Sequence, residues 1–159
     1  AKHIYGEDMP VHISPVTLKK RSNPYASDPA LVTKPYNERT DPRQKKNFGA
    51  LFTLGSIKSL AVAKASGITY FQTIGEQGII TTNNEPFPVY LALKNVLNNA
   101  SAIINTTSAD PLAVDSLLFK DGMLIIWNYT HSEQTVLMPD GQSIKLSPHQ
   151  VKTTTIKLN

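Results

Sequence analysis

Cysteine is absent from this chain, and so are long hydrophobic runs. Without cysteine the protein has no disulfide, no thiolate metal site and no cysteine nucleophile. The apolar runs are too short to span a membrane, and no signal peptide is visible, so the sequence predicts no membrane partner. These absences leave the localisation unknown, because both cytoplasm and periplasm agree with them.

Charge is also scarce: charged residues make up 18% of the 159 residues, and the net charge is +4. A nucleic-acid-binding face needs clustered basic residues. Only Lys19–Arg21 and the pair Lys45–Lys46 are dense, and solvated segments explain both. The scattered histidines lack the spacing of metal ligands, and no phosphate-binding loop is present. The sequence therefore predicts no nucleic-acid partner, no cofactor and no metal.

The first half of the chain has the pattern of an α/β unit. Val11–Ser14 alternates apolar and polar residues like a short strand, and the Pro-rich segment 22–42 predicts a long loop. Asp41–Pro42 is typical of a helix start, and the helix is expected to run to Ala65 with a cap at Gly67. A strand over Ile68–Phe71 is then predicted.

The second half has the pattern of an antiparallel β-structure. After a helix predicted over Pro88–Asn98, short β-type runs are separated by turns such as Asp121–Gly122 and Pro139–Gly141. Their number and spacing predict a small sandwich or barrel. The runs are Ala102–Asn105, Ser116–Lys120, Met123–Tyr129, Thr135–Met138, Ser143–Leu146 and Val151–Leu158.

Polar side chains follow the first predicted strand. His12 and Ser14 share one face of it, and Thr17, Lys19 and Arg21 come after its end. Together they can bind an anion or a carbonyl oxygen. A capped strand end that leads into an exposed loop is the simpler explanation, because no catalytic geometry is visible in this spacing.

The stretch from Thr69 to Gly78 passes from apolar to polar residues. Tyr70 and Gln72 share the face opposite to Thr69 and Phe71, and Glu76 lies between two glycines. Glu76 can act as a general base or accept hydrogen bonds from sugar hydroxyls. A polar loop whose glycines only serve turns explains the stretch equally well.

Four segments of the chain resemble the C-terminal region of the D-apionate lactonases. They are Val11–Pro24, Asp41–Gln44, the helix Phe48–Ala63 and Thr69–Gly78. Those proteins resemble clan-A glycoside hydrolases, which have a (β/α)-barrel followed by a small β-sandwich. The resemblance implies an α+β fold: a partial (β/α)-barrel remnant over residues 1–84, and a helix with an antiparallel β-sandwich over residues 85–159.

The resemblance also implies a site and a reaction. Thr69–Thr73 would be the last barrel strand and Val11–Ser14 the one before it, with Tyr70, Gln72 and Glu76 turned toward the substrate. The implied function is hydrolysis of a sugar lactone or glycoside by a larger enzyme, of which this chain would be a C-terminal fragment, inactive alone. Glu76 and His12 are the implied catalytic residues. The implied substrate-binding residues are Ser14, Thr17, Lys19, Arg21, Tyr70 and Gln72.

Two departures from the family pattern count against glycoside cleavage, leave lactone hydrolysis open and also allow a degenerate, non-catalytic relative. Gln72 stands where a glutamate is usual in the family, and it cannot take a proton. Val11–Lys19 holds no carboxylate, so the pair of carboxylates that glycoside cleavage uses is not visible. Lys19, Arg21 or His12 would then stabilise the oxyanion.

A non-catalytic β-sandwich module that binds carbohydrate or another protein is the alternative. Trp127 and Tyr129 share one face of a strand, where exposed rings would stack on sugars and buried rings would form core. Core is favoured, because large aromatic residues dominate protein interiors. Beyond the carbohydrate or sugar lactone, the expected partners are a second copy or a missing N-terminal barrel. If the predicted helix instead packs on the β-structure of the same chain, its apolar surface is covered without such a partner.

Overall fold

The computed structural model describes Gly6, residues 8–19, Glu38, residues 40–99 and residues 101–158. Arg21 and most of the loop predicted over 22–42 lie outside these residues.

A strand–helix–strand unit forms the first half of the described chain. Strand β1 is His12–Ile13, helix α1 is Asn47–Val62 and strand β2 is Gly67–Ile68. β1 and β2 are parallel, with His12 opposite Gly67. Three further backbone hydrogen bonds of 2.8–2.9 Å continue the pairing along residues 11–16 and 66–69. Parallel neighbours joined through a helix are the repeating unit of α/β folds, as the sequence predicted.

The prediction of one continuous helix from Pro42 to Ala65 is wrong at both ends, because α1 starts later and stops earlier. Asp41 does act as an N-cap, but it caps a short 3-10 helix over Pro42–Lys45, and the extended backbone of Lys46 separates this turn from α1. At the other end, Lys64 takes the left-handed conformation, with φ of 57°.

Gly67 is not the cap of α1. It belongs to β2, and the ring of His12 fills the space where a side chain at this position would lie. A glycine is needed at this position because the His12 side chain of the neighbouring strand lies against it, and not because a helix ends here.

The predicted strand after α1 is interrupted. Instead of one strand over Thr69–Thr73, the chain leaves the β1–β2 ladder near Tyr70, and a second strand, β3, follows at Gln72–Ile74. β3 pairs in parallel with β4, Gly78–Ile80. Tyr70 lies against α1, so the chain bends where its side chain packs on the helix.

The second half contains a helix and all the predicted β-segments. Helix α2 spans Pro88–Leu97, one residue shorter than predicted. The remaining strands are β5 (Ile103–Ile104), β6 (Val114–Phe119), β7 (Met123–Asn128), β8 (Gln134–Leu137), β9 (Ser143–Leu146) and β10 (Val151–Thr155). β10, β7, β6 and β5 form an antiparallel sheet in that order, and β8 and β9 form a separate hairpin.

The two central strands of the sheet, β6 and β7, are covered on both faces. On one face Leu117 and Trp127 pack against Leu51 and Leu54 of α1. On the other face the sheet packs against the β8–β9 hairpin, where Ile126 meets Leu146. Successive residues of β6 and β7 therefore alternate between a helix layer and a hairpin layer, which is why these strands are almost continuously apolar.

Helix α1 is shared between the two halves. Leu51 and Leu54 are 0% exposed in the core against the sheet, while Ser56 contacts Tyr70 beyond β2 through hydroxyl groups 2.9 Å apart. Lys58 forms an ion pair with Asp115 of β6. The expectation that this helix packs on the β-structure is confirmed. The described residues thus form an α+β fold with two helices and several sheets, and they form no closed barrel.

Candidate functional site

The face of β1 and β2 that points away from α1 is open. Tyr70 turns toward α1, so strand alternation puts Gly67 and Thr69 on the opposite face, where His12 lies over Gly67. His12, Ser14 and Thr69 are all exposed. In a barrel this face looks toward the interior, and the carboxyl ends of the strands form the rim of the site.

Three segments meet at the carboxyl edge of β1 and β2. They are the loop after β1, the turn that precedes α1 and the loop after β2, and they enclose a cavity of about 20 Å³, enough for one water molecule. The lining residues are Thr17, Leu18, Lys19, Asp41, Gln44, Phe71 and Gln77. Of the sequence-predicted site residues, Thr17 and Lys19 line this cavity, together with four residues from the other two segments, and their part in substrate binding stays a prediction.

Asp41 is held in the ionised state at one wall of this cavity. Its Oδ1 accepts hydrogen bonds from the backbone N–H and Nε of Arg43 at 2.9 and 3.0 Å, and its Oδ2 accepts one from Nη2 at 2.7 Å. The side-chain hydrogen bonds from Arg43 lower the pKa of Asp41 below its usual value. A carboxylate engaged in this way supports the turn and is a poor proton acceptor.

Gln44 connects the same turn to the neighbouring sheet. Its side chain is buried, and Nε2 donates a hydrogen bond of 2.8 Å to the carbonyl oxygen of Gly78 in β4. This contact holds the turn of residues 41–44 against the segment after β2. The sequence had indicated Asp41 only as a helix cap. The signal for Gln44 was its place in the Asp-Pro-Arg-Gln motif.

Glu76 lies at the outside of the site. It is exposed, it does not line the small cavity, and its carboxylate forms an ion pair with the ammonium group of Lys45. The Lys45 ammonium also lies 5.9 Å from the centre of the Phe87 ring. The role of Glu76 in catalysis stays a prediction, and any such role has to compete with this ion pair.

Tyr70 does not point where the alternation argument put it. Its hydroxyl lies 2.9 Å from that of Ser56, and burial raises the pKa of this hydroxyl above its usual value. Phe71, expected on the helix side, instead lines the cavity. The predicted orientation is therefore wrong for this pair of neighbours. Gln72 is exposed, its backbone N–H donates to Gln77, and its part in substrate binding stays a prediction.

Trp127 is not available as a stacking surface for sugars. It is 0% exposed and belongs to the core that α1 shares with the sheet. Tyr129 contacts it edge-to-face, with ring centroids 6.1 Å apart. The expectation that these rings form core rather than a carbohydrate platform is confirmed for Trp127.

Two negative findings apply to the described residues. Within them no helix has both the length and the apolar character needed to cross a membrane. The same part of the chain contains no cluster of three or more His, Asp or Glu side chains arranged to hold a metal ion.

Comparison with known proteins gives one family. No curated protein matches the chain significantly. The family model described as "D-apionate lactonase, TIM barrel domain" matches residues 1–101, which is more than half of the 159-residue chain. The match includes β1, α1, β2 and α2 and stops before β5. Division of the chain at residues 84 and 85 stays a prediction. The resemblance noted in the sequence is confirmed, and the chain belongs to the D-apionate lactonase TIM barrel family.

Proposed function

We propose that the carboxyl edge of β1 and β2 contributes to a site that hydrolyses a sugar lactone. The family match supports a hydrolase related to carbohydrate chemistry. The observation that carries the proposal is the cavity at this edge, where segments after both parallel strands meet the Asp41–Gln44 turn. Barrel enzymes assemble their sites at this edge of the sheet.

In the reaction a water oxygen attacks the lactone carbonyl carbon, and the bond from that carbon to the ring oxygen breaks. The ring oxygen leaves with a proton as a hydroxyl group, and the product is an open-chain hydroxy acid. Lys19 carries a positive charge at the cavity and suits the negative charge that develops on the carbonyl oxygen. Ser14 offers a hydroxyl group to the substrate, and Gln72 can orient a hydroxyl or carbonyl group. The Thr17 hydroxyl donates to the carbonyl oxygen of Lys19 at 2.8 Å, so it would accept a hydrogen bond from the substrate.

Neither of the two proposed catalytic residues lines the cavity, and they differ in what surrounds them. His12 lies on the open face with Ser14, and a neutral imidazole can accept a proton from water. Glu76 would first have to be released by Lys45. Arg21, the remaining residue of the proposed site, is outside the described residues and has no assigned contact.

Lactone hydrolysis is favoured over glycoside hydrolysis by the carboxylates at this edge. Glycoside cleavage needs one carboxyl group as acid and a second as base or nucleophile. Of the carboxylates described at the edge, Asp41 is engaged by Arg43 and Glu76 by Lys45. Neither is free for those roles, whereas a lysine and a histidine suffice for the carbonyl chemistry of a lactone.

Binding is the primary test, because the described strands form only one side of a barrel. The chain is titrated with a sugar lactam, which mimics the lactone and resists hydrolysis, and backbone amide NMR shifts are followed. We expect shifts at residues 17–19 and 71–77. Lys19→Met and His12→Asn should weaken binding, while Lys152→Met, an exposed lysine on β10, serves as the matched control and should not.

Proton release from the corresponding lactone is measured in parallel. Shifts confined to other regions, or equal shifts with the lactam and with a sugar alcohol that lacks the carbonyl group, would overturn the proposal. If Lys19→Met and Lys152→Met bound the lactam with equal affinity, Lys19 would not be a substrate-binding residue.

A further inference from the structure

Two histidines meet where the turn after β7 lies beside the turn before β10. Nε2 of His149 is 2.9 Å from Nδ1 of His131, and the rings are nearly perpendicular, at 88° with centroids 4.5 Å apart. His131 is exposed and His149 is half-buried. Neither histidine lines the cavity at the carboxyl edge of β1 and β2.

One buried side chain ties these two turns together. Asn128 is 0% exposed, and its Nδ2 donates to the carbonyl oxygen of Ser132 at 2.7 Å and to that of Ser147 at 3.0 Å. Its Oδ1 accepts the backbone N–H of Thr130 at 2.8 Å. The first turn carries His131 and the second carries His149. The hydrogen bonds of Asn128 therefore fix the backbones that carry the two histidines relative to each other.

The backbone at His149 takes the left-handed conformation. Its φ is 53°, in a region that few non-glycine residues adopt, although histidine, asparagine and aspartate are enriched there. Its Nδ1 is buried, and within the described part of the chain it has no hydrogen-bond partner. A buried ring nitrogen without a partner is the feature of this side chain that calls for an explanation. The remaining nitrogen, Nε2, is the one aimed at His131.

We propose that His131 and His149 bind a divalent transition-metal ion of the Cu²⁺ or Ni²⁺ type, which replaces the proton shared by the two rings. Imidazole nitrogens lie about 2.0–2.1 Å from such ions, so two ligands at right angles are about 2.9 Å apart and two tetrahedral ligands about 3.3 Å apart. The 2.9 Å between the two nitrogens is a hydrogen-bond distance. If the exposed His131 ring turns while this separation is kept, both nitrogens face one ion at the right angle of square-planar or tetragonal sites. Cu²⁺ also binds nitrogen ligands more tightly than its neighbours in the first row.

The site has two protein ligands, and water completes the coordination. Two protein ligands hold an ion less firmly than the three or four of catalytic and structural sites, so the proposed ion would be exchangeable. The fold is complete without it, because Asn128 already joins the turns. His131 is exposed, and its ring can turn to direct Nδ1 at the ion while His149 stays fixed.

The test is Cu²⁺ binding by calorimetry, with electron paramagnetic resonance to count nitrogen ligands. His3 is replaced by Gln in every protein, so that the histidine near the amino end contributes nothing. We expect one Cu²⁺ per chain with two imidazole nitrogens. His131→Gln or His149→Asn should each lower the affinity by about tenfold or more, since even an outer partner of a metal ligand is commonly worth that much.

Asparagine at position 149 tolerates a positive φ, so this variant keeps the turn, and circular dichroism checks the fold of each protein. His12→Asn is the matched control for an exposed histidine and should leave Cu²⁺ affinity unchanged. Equal affinity of the pair variants and the control would overturn the proposal. A spectrum with one nitrogen ligand, or tighter binding of Zn²⁺ than of Cu²⁺, would also overturn it.

Discussion

The hydroxyl group of Tyr129 occupies the space that a side chain at Gly55 would need. Gly55 lies in the middle of α1, and Tyr129 follows β7, so the helix and the sheet approach closely at this point. The next atom of the tyrosine ring, Cζ, would be 3.5 Å from a Cβ at position 55, which is ordinary contact. The hydroxyl alone therefore excludes a larger residue.

Gly55→Ala should destabilise the protein even though alanine favours helices. The gain in helix propensity is up to about 1 kcal/mol, and overpacking costs about 1–3 kcal/mol. Urea denaturation of Gly55→Ala, Tyr129→Phe and the double variant gives the unfolding free energies that show which of the two effects is larger. Removing the hydroxyl makes room for the methyl group, so the double variant should be more stable than Gly55→Ala alone. If the second substitution gave no recovery, the contact would not be the cause.

The ion pair between Lys58 and Asp115 should be sensitive to the loss of either partner. Both side chains are only 13% exposed, and they connect α1 to β6. Lys58→Met or Asp115→Leu leaves one buried charge without its partner, which costs about 3–5 kcal/mol in comparable sites. The double variant should recover most of this loss in a double-mutant cycle of unfolding free energies. Additive effects of the two substitutions would mean that the charges do not interact.

The charge of Asp41 should stabilise the protein in a pH-dependent way. Hydrogen bonds from Arg43 lower its pKa in the folded state, so protons bind more readily to the unfolded chain. The stabilisation is complete above the unfolded pKa and is lost as the pH falls through the folded pKa. Asp41→Asn keeps a capping oxygen but loses the charge, and should cost about 1–2 kcal/mol at neutral pH.

The difference in unfolding free energy between the wild-type protein and Asp41→Asn should shrink at about pH 2.5, below the usual pKa of an aspartate. Urea denaturation at both pH values measures it. Glu85→Gln is the control, because Glu85 is exposed and should leave the neutral-pH stability unchanged. A cost for Asp41→Asn that is the same at both pH values would assign the effect to the cap geometry and not to charge.

The lone tryptophan provides a direct check on the core. Trp127 is 0% exposed, so its fluorescence should resist quenching by iodide in the folded protein and become accessible on unfolding. The matched reference is a Trp127→Phe, Leu112→Trp chain, in which the tryptophan sits at a position 86% exposed. Similar quenching of the two folded proteins would contradict the burial of Trp127.

Local sequence signals predicted the β-half well. The turns at Asp121–Gly122 and Pro139–Gly141 separate strands that the structure contains, and Pro88 begins α2 as predicted. Pro42 begins the short 3-10 helix and not α1. These features depend on backbone preferences of a few neighbouring residues. Asp41 as a cap belongs to the same class, because its partner is the backbone two positions away.

Features that depend on distant contacts were not predictable in the same way. The break between the 3-10 helix and α1 accompanies the link from Gln44 to Gly78, which are far apart in sequence. Alternation correctly separated Tyr70 from Phe71, but it could not tell which face meets the helix. The ion pair that occupies Glu76 likewise depends on a lysine from another element.

Helix α1 packs against both halves of the chain, and this limits where recombination can divide the gene. Leu51 and Leu54 of the helix are covered by the sheet, and that sheet lies beyond residue 101, outside the segment that matches the barrel family. A recombination that separated the two parts would remove the sheet from both leucines and leave only the α2 side of the same core, with Ala92, in place. Descendants that kept the β1–α1–β2 unit with a different neighbour would therefore need polar replacements at positions 51 and 54, or a new apolar surface to cover them.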